Sequence, residues 1–349
     1  MDAFTLSIVR ILIVGSVCFV LALLMTPPLI RWLRQHRMGK SIRDKKSAPL
    51  MSAMHAAKAG TPTMGGLVIW PTVIAVMVLA SLACHLDVAF SCSINFLSRS
   101  QTLLPLGAFF AAALVGLLDD YLNIKKIGPK GGGLRVRYRL LTYSLIALVA
   151  ALWFYTKLDW DIIHIPFAGN LPLGIWYIPF FAFVIVATQH SVNVTDGLDG
   201  LAGGTLLAAF GAYAVIAFSQ GKTDLATFCV AIMAALLAFT WHNVTPAAFF
   251  MGDTGAMALG TALGIVAMLT NQPLLLPIIG LPFMVETLSV LLQVASKKLR
   301  GGKKIFRSSP FHHHLEAIGW GEPKVVMRFW VVAFVCAAVG TVIGLVDRF

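Results

Sequence analysis

Long apolar runs alternate with short polar islands along this chain, and the carboxylates of those islands stand at the run ends. Ten such runs cover roughly residues 8–30, 67–83, 102–118, 140–156, 174–188, 201–219, 225–241, 254–269, 274–294 and 325–346. A helix of about 20 apolar residues spans the hydrocarbon of a bilayer. Charged residues make up only 12% of the 349 residues, against 58% hydrophobic ones, whereas an ordinary soluble domain is about 25% charged. The pattern predicts an all-α polytopic membrane protein of about ten transmembrane helices in a single domain, 1–349. Pro27 and Pro28 are expected to end or kink the first span, and Pro277 and Pro282 to kink the ninth. The first run lacks a small-residue cleavage site followed by a soluble domain, so it reads as a retained span. The link 159–170 reads as a surface hairpin or interfacial turn.

Ten crossings place the loop 31–66, the end of the third run, both later acidic islands and the loop 296–324 on one side. That side then holds every Lys and Arg of the chain except Arg10, Arg99, Lys157, Lys222 and Arg348. The positive-inside rule makes it cytoplasmic and puts both termini outside, in the periplasm. The net charge of +12 is thereby assigned to topology and anionic lipid, not to nucleic acid. Cys18, Cys84, Cys92, Cys229 and Cys336 form no metal-ligand spacing.

The predicted cytoplasmic face collects Asp119, Asp120, Asn193, Asp196, Asp199, Asn243 and Asp253, with Lys58 and His312, His313 and His314 from its loops. Each has a plain reading when taken singly. Asp119 or Asp120 would cap a helix, Asp196-Gly and Asp199-Gly would be turns, Lys58 would be a topology charge, and the histidines a solvated tract. Phe249 and Phe250 read as interface aromatics unless their loop forms a ligand pocket. Together the carboxylates repel one another unless neutralised, and Mg²⁺ is the hard cation that binds through one or two carboxylates and substrate phosphates. Adjacent Asp119 and Asp120 cannot share a helical face, whereas Asp196 and Asp199 would if helical. Gly128 to Gly133 lacks the closing Lys and Ser/Thr of a phosphate-binding Walker loop. Glu286, inside the ninth run, would pair within the bundle or line a lipid groove. The set points to phosphoryl transfer at a membrane surface. A transporter would instead carry its ions on carboxylates near mid-membrane.

Five segments carry a resemblance that covers nearly the whole length. They are His55-Ala-Ala-Lys-Ala-Gly-Thr-Pro-Thr-Met-Gly-Gly66, Asp119-Asp-Tyr121, Asn193-Val-Thr-Asp-Gly-Leu-Asp-Gly200, Phe250-Met-Gly-Asp253 and Pro310-Phe-His-His-His-Leu-Glu316. The chain resembles the bacterial phospho-N-acetylmuramoyl-pentapeptide transferases. The aspartate motifs belong to the wider polyprenyl-phosphate sugar-1-phosphate transferases, and the first and last segments to the muramoyl-pentapeptide branch. Ala256 stands where many relatives have serine. The resemblance implies an inner-membrane enzyme, with its site on the cytoplasmic face, that joins UDP-N-acetylmuramoyl-pentapeptide to undecaprenyl phosphate, giving lipid I and UMP. It implies Mg²⁺ as cofactor and a homodimer within membrane lipid. Asp253 is the expected metal ligand, with Asp119 or Asp120 as additional candidates, and Asp119, Asp120, Asp253 and His312 are the expected catalytic residues. Lys58, Asn193, Asp196, Asp199, Asn243, Phe250, His313 and His314 are expected to bind substrate, with Phe250 on uracil. Direct attack by the lipid phosphate and a two-step route through an aspartyl intermediate both stay open. A transferase of UDP-N-acetylglucosamine is the alternative.

Overall fold

The computed structural model describes residues 2–39, 58, 60–86, 91–98, 101–128 and 132–347. His55 of the first motif lies outside them. Among the described residues nine helices are long and apolar enough to cross a membrane: α1 (Ala3–Gln35), α2 (Gly66–His85), α4 (Leu103–Ile124), α5 (Val136–Lys157), α6 (Tyr177–Thr195), α7 (Leu201–Ser219), α8 (Thr223–Asn243), α9 (Gly252–Leu269) and α13 (Glu322–Val346). A tenth is reached if two pieces, α10 (Leu276–Ile279) and α11 (Leu281–Leu299), are counted as one span. Together with the 3-10 turn before α10, they are bent by 83°. Short helices α3 (Ser91–Ile94) and α12 (Phe311–Ala317) lie between spans. The link after α5 is a hairpin of β1 (Ile162–Ile165) and antiparallel β2 (Gly169–Pro172), pairing Ile162 with Pro172 and Ile165 with Gly169.

Several boundaries differ from the sequence reading. α1 runs unbroken through Pro27 and Pro28; neighbouring groups in a membrane helix can satisfy the carbonyls that proline frees. The break expected in the ninth run falls at Gly280, between the two prolines. α4 continues a turn past Asp119 and Asp120, so both carboxylates sit on the helix, not beyond it. α5 begins at Val136 and takes Arg137 and Arg139 out of the expected basic loop. α12 puts the three histidines on a helical turn instead of a loop. Asp196 to Gly200 link α6 to α7, so Asp196 and Asp199 share no helical face.

The core gathers around α9, where every residue from Gly252 to Leu269 is buried except Asp253. Such a helix has no lipid-facing side and needs small residues to let neighbours close in. A β-carbon on Gly116 of α4 would stand 2.3 Å from the Asp253 carbonyl oxygen, and one on Gly66 would stand 2.3 Å from the Gly255 nitrogen. α4 and α2 therefore meet the first turn of α9 backbone to backbone. Lipid-facing helices are exposed along apolar stripes, as with Leu141, Leu145 and Val149 on α5.

Gly116→Ala is expected to destabilise the protein by about 1–3 kcal/mol, read as a lower unfolding temperature in detergent. Gly107→Ala on the same helix meets nothing within 4 Å and should leave that temperature unchanged or slightly raised. Equal melting of both variants would mean that α4 and α9 do not pack this closely.

Candidate active site

The site begins with a helix end that has to be capped. The first amides of α9 lack helical partners and lie among packed helices. Asp120 supplies both acceptors: one oxygen takes the Asp253 N–H at 3.1 Å and the other the Thr254 N–H at 3.0 Å. Gly252 holds φ +74°, and a β-carbon there would press within 2.5 Å of an Asp120 oxygen. The cap thus needs glycine at that position. Backbone from the Thr-Pro-Thr-Met-Gly-Gly segment docks on the same turn: Phe250 donates to Pro62 at 2.8 Å, Gly65 to Phe250 at 2.7 Å and Gly66 to Met251 at 2.9 Å.

Three charged groups lie around this cap. In the first, Arg139 from the start of α5 bonds through Nη2 to both Asp119 and Asp253, the latter at 2.9 Å. Asp119 also accepts the Leu134 N–H at 2.6 Å, and Asp253 accepts from the Asn193 amide at 2.7 Å. Asp119 is fully buried and Asp253 about one-fifth exposed. In the second, Lys58 pairs with Asp199 at 2.6 Å and with Glu322 at 2.5 Å. Glu322 further accepts the Asp199 N–H at 2.8 Å, and Asp199 accepts from Ala247 at 3.1 Å. In the third, buried Glu286 faces His312 Nδ1 at 2.9 Å and accepts the His312 N–H at 3.1 Å. His312 Nε2 is buried without a hydrogen-bond partner among the described residues and sits against Gly197, where a β-carbon would be 2.2 Å away. His313 pairs with Glu316 at 2.7 Å, and His314 Nδ1 accepts from the Arg307 N–H at 3.2 Å.

The remaining expected residues frame these groups. Asn243 is buried and holds two turns together: it accepts from the Gly200 N–H at 2.9 Å and donates to the Phe249 carbonyl at 2.8 Å. Asp196 closes α6 and is half-buried. Phe250 is half-buried too. Phe249 is fully buried against Phe239, with ring centroids 5.1 Å apart. Its reading as an interface aromatic is corrected, because the Thr245–Met251 turn folds back over α8. The sequence reading missed Arg139, Glu322 and the partner of Glu286. Their partners lie 20 to 264 positions away, and only the repulsion expected among clustered carboxylates signalled that positive charge must be found for them.

The Asp119 and Asp253 carboxylates offer hard oxygen donors to a divalent cation. Their shared guanidinium marks the place between them as one that a positive charge occupies. Asp120 offers less, since its two oxygens are engaged by the α9 amides. No group of three or more His, Cys, Asp or Glu forms a ready cage among the described residues.

Comparison with known proteins adds two family matches. Residues 102–271 match the model for glycosyl transferase family 4. Residues 58–69 match phospho-N-acetylmuramoyl-pentapeptide-transferase signature 1. The phospho-N-acetylmuramoyl-pentapeptide-transferase of Chloroflexus aurantiacus is 38% identical, the match covering 97% of this chain and 90% of that protein. Those of Anoxybacillus flavithermus and Geobacillus sp. are each 40% identical, covering 95% and 92% of this chain and 96% and 94% of theirs.

Asp120→Ala is expected to cost about 1–2 kcal/mol as a lost helix cap, seen by thermal unfolding. Asp120→Asn keeps one acceptor oxygen and should cost less. An alanine variant as stable as the parent would remove the capping role.

Proposed function

The chain belongs to the phospho-N-acetylmuramoyl-pentapeptide-transferase family, and on that premise we propose which side chains perform its reaction. The enzyme transfers phospho-N-acetylmuramoyl-pentapeptide from UDP-N-acetylmuramoyl-pentapeptide to undecaprenyl phosphate, giving lipid I and UMP in peptidoglycan synthesis. The relatives belong to this branch, not to the UDP-N-acetylglucosamine alternative. Its substrates are one soluble nucleotide and one membrane lipid, which suits a site at the end of a helix bundle.

The observation that carries our assignment is the Asp119–Arg139–Asp253–Asn193 cluster at the N-terminus of α9. Asp253 and Asp119 would hold Mg²⁺, which when bound neutralises diphosphate charge and eases the departure of UMP. Asp120 serves as the cap that fixes Asp253. In the transfer, an oxygen of the lipid phosphate attacks the sugar-bearing phosphorus. The new P–O bond forms as the bond to UMP breaks, and UMP leaves with the electron pair. The attacking group needs no strong base, because the second pKa of a phosphate ester is about 6. We favour this direct displacement over an aspartyl intermediate, since the lipid phosphate is itself an oxyanion near neutral pH and needs no protein nucleophile.

Phe250 offers a half-exposed ring for uracil, and Asn243 fixes the backbone beneath it. Lys58 orders the 196–200 turn through Asp199, and we assign its charge to the donor phosphate. Asp196 in that turn borders the same nucleotide site. Glu286 holds His312 against Gly197 of the 196–200 turn, and we assign His312 to orienting the substrate through that turn. His313 and His314 orient the same short helix.

We place this end of the bundle in the cytoplasm, both termini in the periplasm and the enzyme in the inner membrane, on the basic loops beside the site. The homodimer reading rests on the family resemblance.

Purified protein given both substrates and Mg²⁺ is expected to yield lipid I and UMP by mass spectrometry. Chelation should stop the reaction, and UDP-N-acetylglucosamine should give no product. Asp253→Ala should lower turnover at least about 100-fold. Undiminished turnover by a folded variant would end the role given to Asp253.

A further inference from the structure

Each oxygen of the two carboxylates that would hold the cation already accepts a hydrogen bond from the protein. Leu134 and Asn193 take one oxygen on each, and a single nitrogen of Arg139 takes the other two. Arg139 is poorly satisfied in return. Its Nε is buried and has no partner among the described residues, while its side chain is 27% exposed. A guanidinium has five N–H donors in a fixed fork, and here one nitrogen carries both ion pairs. Leaving a buried donor unmade is costly. The position is therefore a compromise, imposed by two carboxylates that cannot stand together without a counter-charge.

We propose that Arg139 is an exchangeable counter-ion. It holds Asp119 and Asp253 together while no divalent cation is bound, and it passes to the donor's diphosphate when cation and nucleotide bind. This rests on the reading of Asp119 and Asp253 as metal ligands. Charge accounting supports the exchange. Two carboxylates and one guanidinium leave one net negative charge. A divalent cation alone would reverse that sign and stand against the guanidinium over the same oxygens. A divalent cation with a diphosphate dianion adds no net charge and offers the fork, Nε included, the bidentate oxygens that it lacks. Arg139 can move because its long side chain reaches the site from the first turn of α5 and is partly exposed. Asp120 cannot, because it caps α9. The exchange makes cation binding weak without nucleotide and strong with it, so metal and donor bind as a unit.

Mn²⁺ binding, followed by electron paramagnetic resonance on the full-length protein in detergent, tests this without turnover. Without nucleotide, Arg139→Gln should bind Mn²⁺ about tenfold more tightly than the parent. Arg139→Lys keeps a cation and should stay close to the parent value. Adding UDP-N-acetylmuramoyl-pentapeptide should tighten Mn²⁺ binding in the parent and much less in Arg139→Gln. Loss of a merely structural contact would weaken binding instead. Equal or weaker Mn²⁺ binding by a folded Arg139→Gln variant overturns the exchange. Parent-like binding by Asp253→Asn overturns the metal site itself, so the two failures are distinct.

Discussion

The hydrogen bonds that Asp120 accepts from the first amides of α9 are the contacts on which the rest of the structure depends. A helix buried along its whole length cannot send its orphan amides to water. The N-terminus of α9 therefore requires an internal acceptor, and a carboxylate is the strongest one available. Gly116 and Gly66 let α4 and α2 come close enough for it to reach. Once α9 is capped, Asp253 is fixed beside Asp119 and Asn193. The cap is thus also the device that aims the reactive carboxylate.

From that point the site is a problem in charge compensation. A buried carboxylate without a partner is severely destabilising, whereas a paired one is close to neutral. Asp119, Asp199 and Glu286 are all nearly or fully buried, and each has its partner: Arg139, Lys58 and His312. The partners come from α5, the segment before α2, and α12, so charge pairing also ties peripheral elements to the core. These two ion pairs, Asp119–Arg139 and Asp199–Lys58, and the Glu286–His312 hydrogen bond contribute less to net stability than to keeping one arrangement of loops.

The other end of the bundle is polar in a different way. Arg10 meets Asp224 at 2.8 Å, and His164 of the hairpin meets Asp347. A Cys84–Cys92 disulfide joins α2 to α3 there. Disulfides persist in oxidising compartments, so this bond agrees with the periplasmic assignment of that end. Neither cysteine gave a sequence signal, because a pair eight positions apart is compatible with many folds.

The sequence by itself determined an all-α bundle of nine or ten long apolar helices and their order, because lipid leaves a helix as the only solution for an apolar run of that length. It also pointed to polar islands that would share a side, because successive spans alternate direction and basic residues are expected on one face. Asp119, Asp253 and Asn193 could be nominated on those grounds alone. Their partners could not. Arg139 reads as one more basic residue after the third span, and only the fold of α5 against α4 and α9 brings it between two aspartates. Glu286 reads as a charge that pairs within the bundle or lines a lipid groove, and its partner His312 appears only when the break at Gly280 tilts α11 and α12 folds beneath it. The tertiary structure decided these pairings, because hydrophobic periodicity specifies which residues leave water but not which buried charges meet.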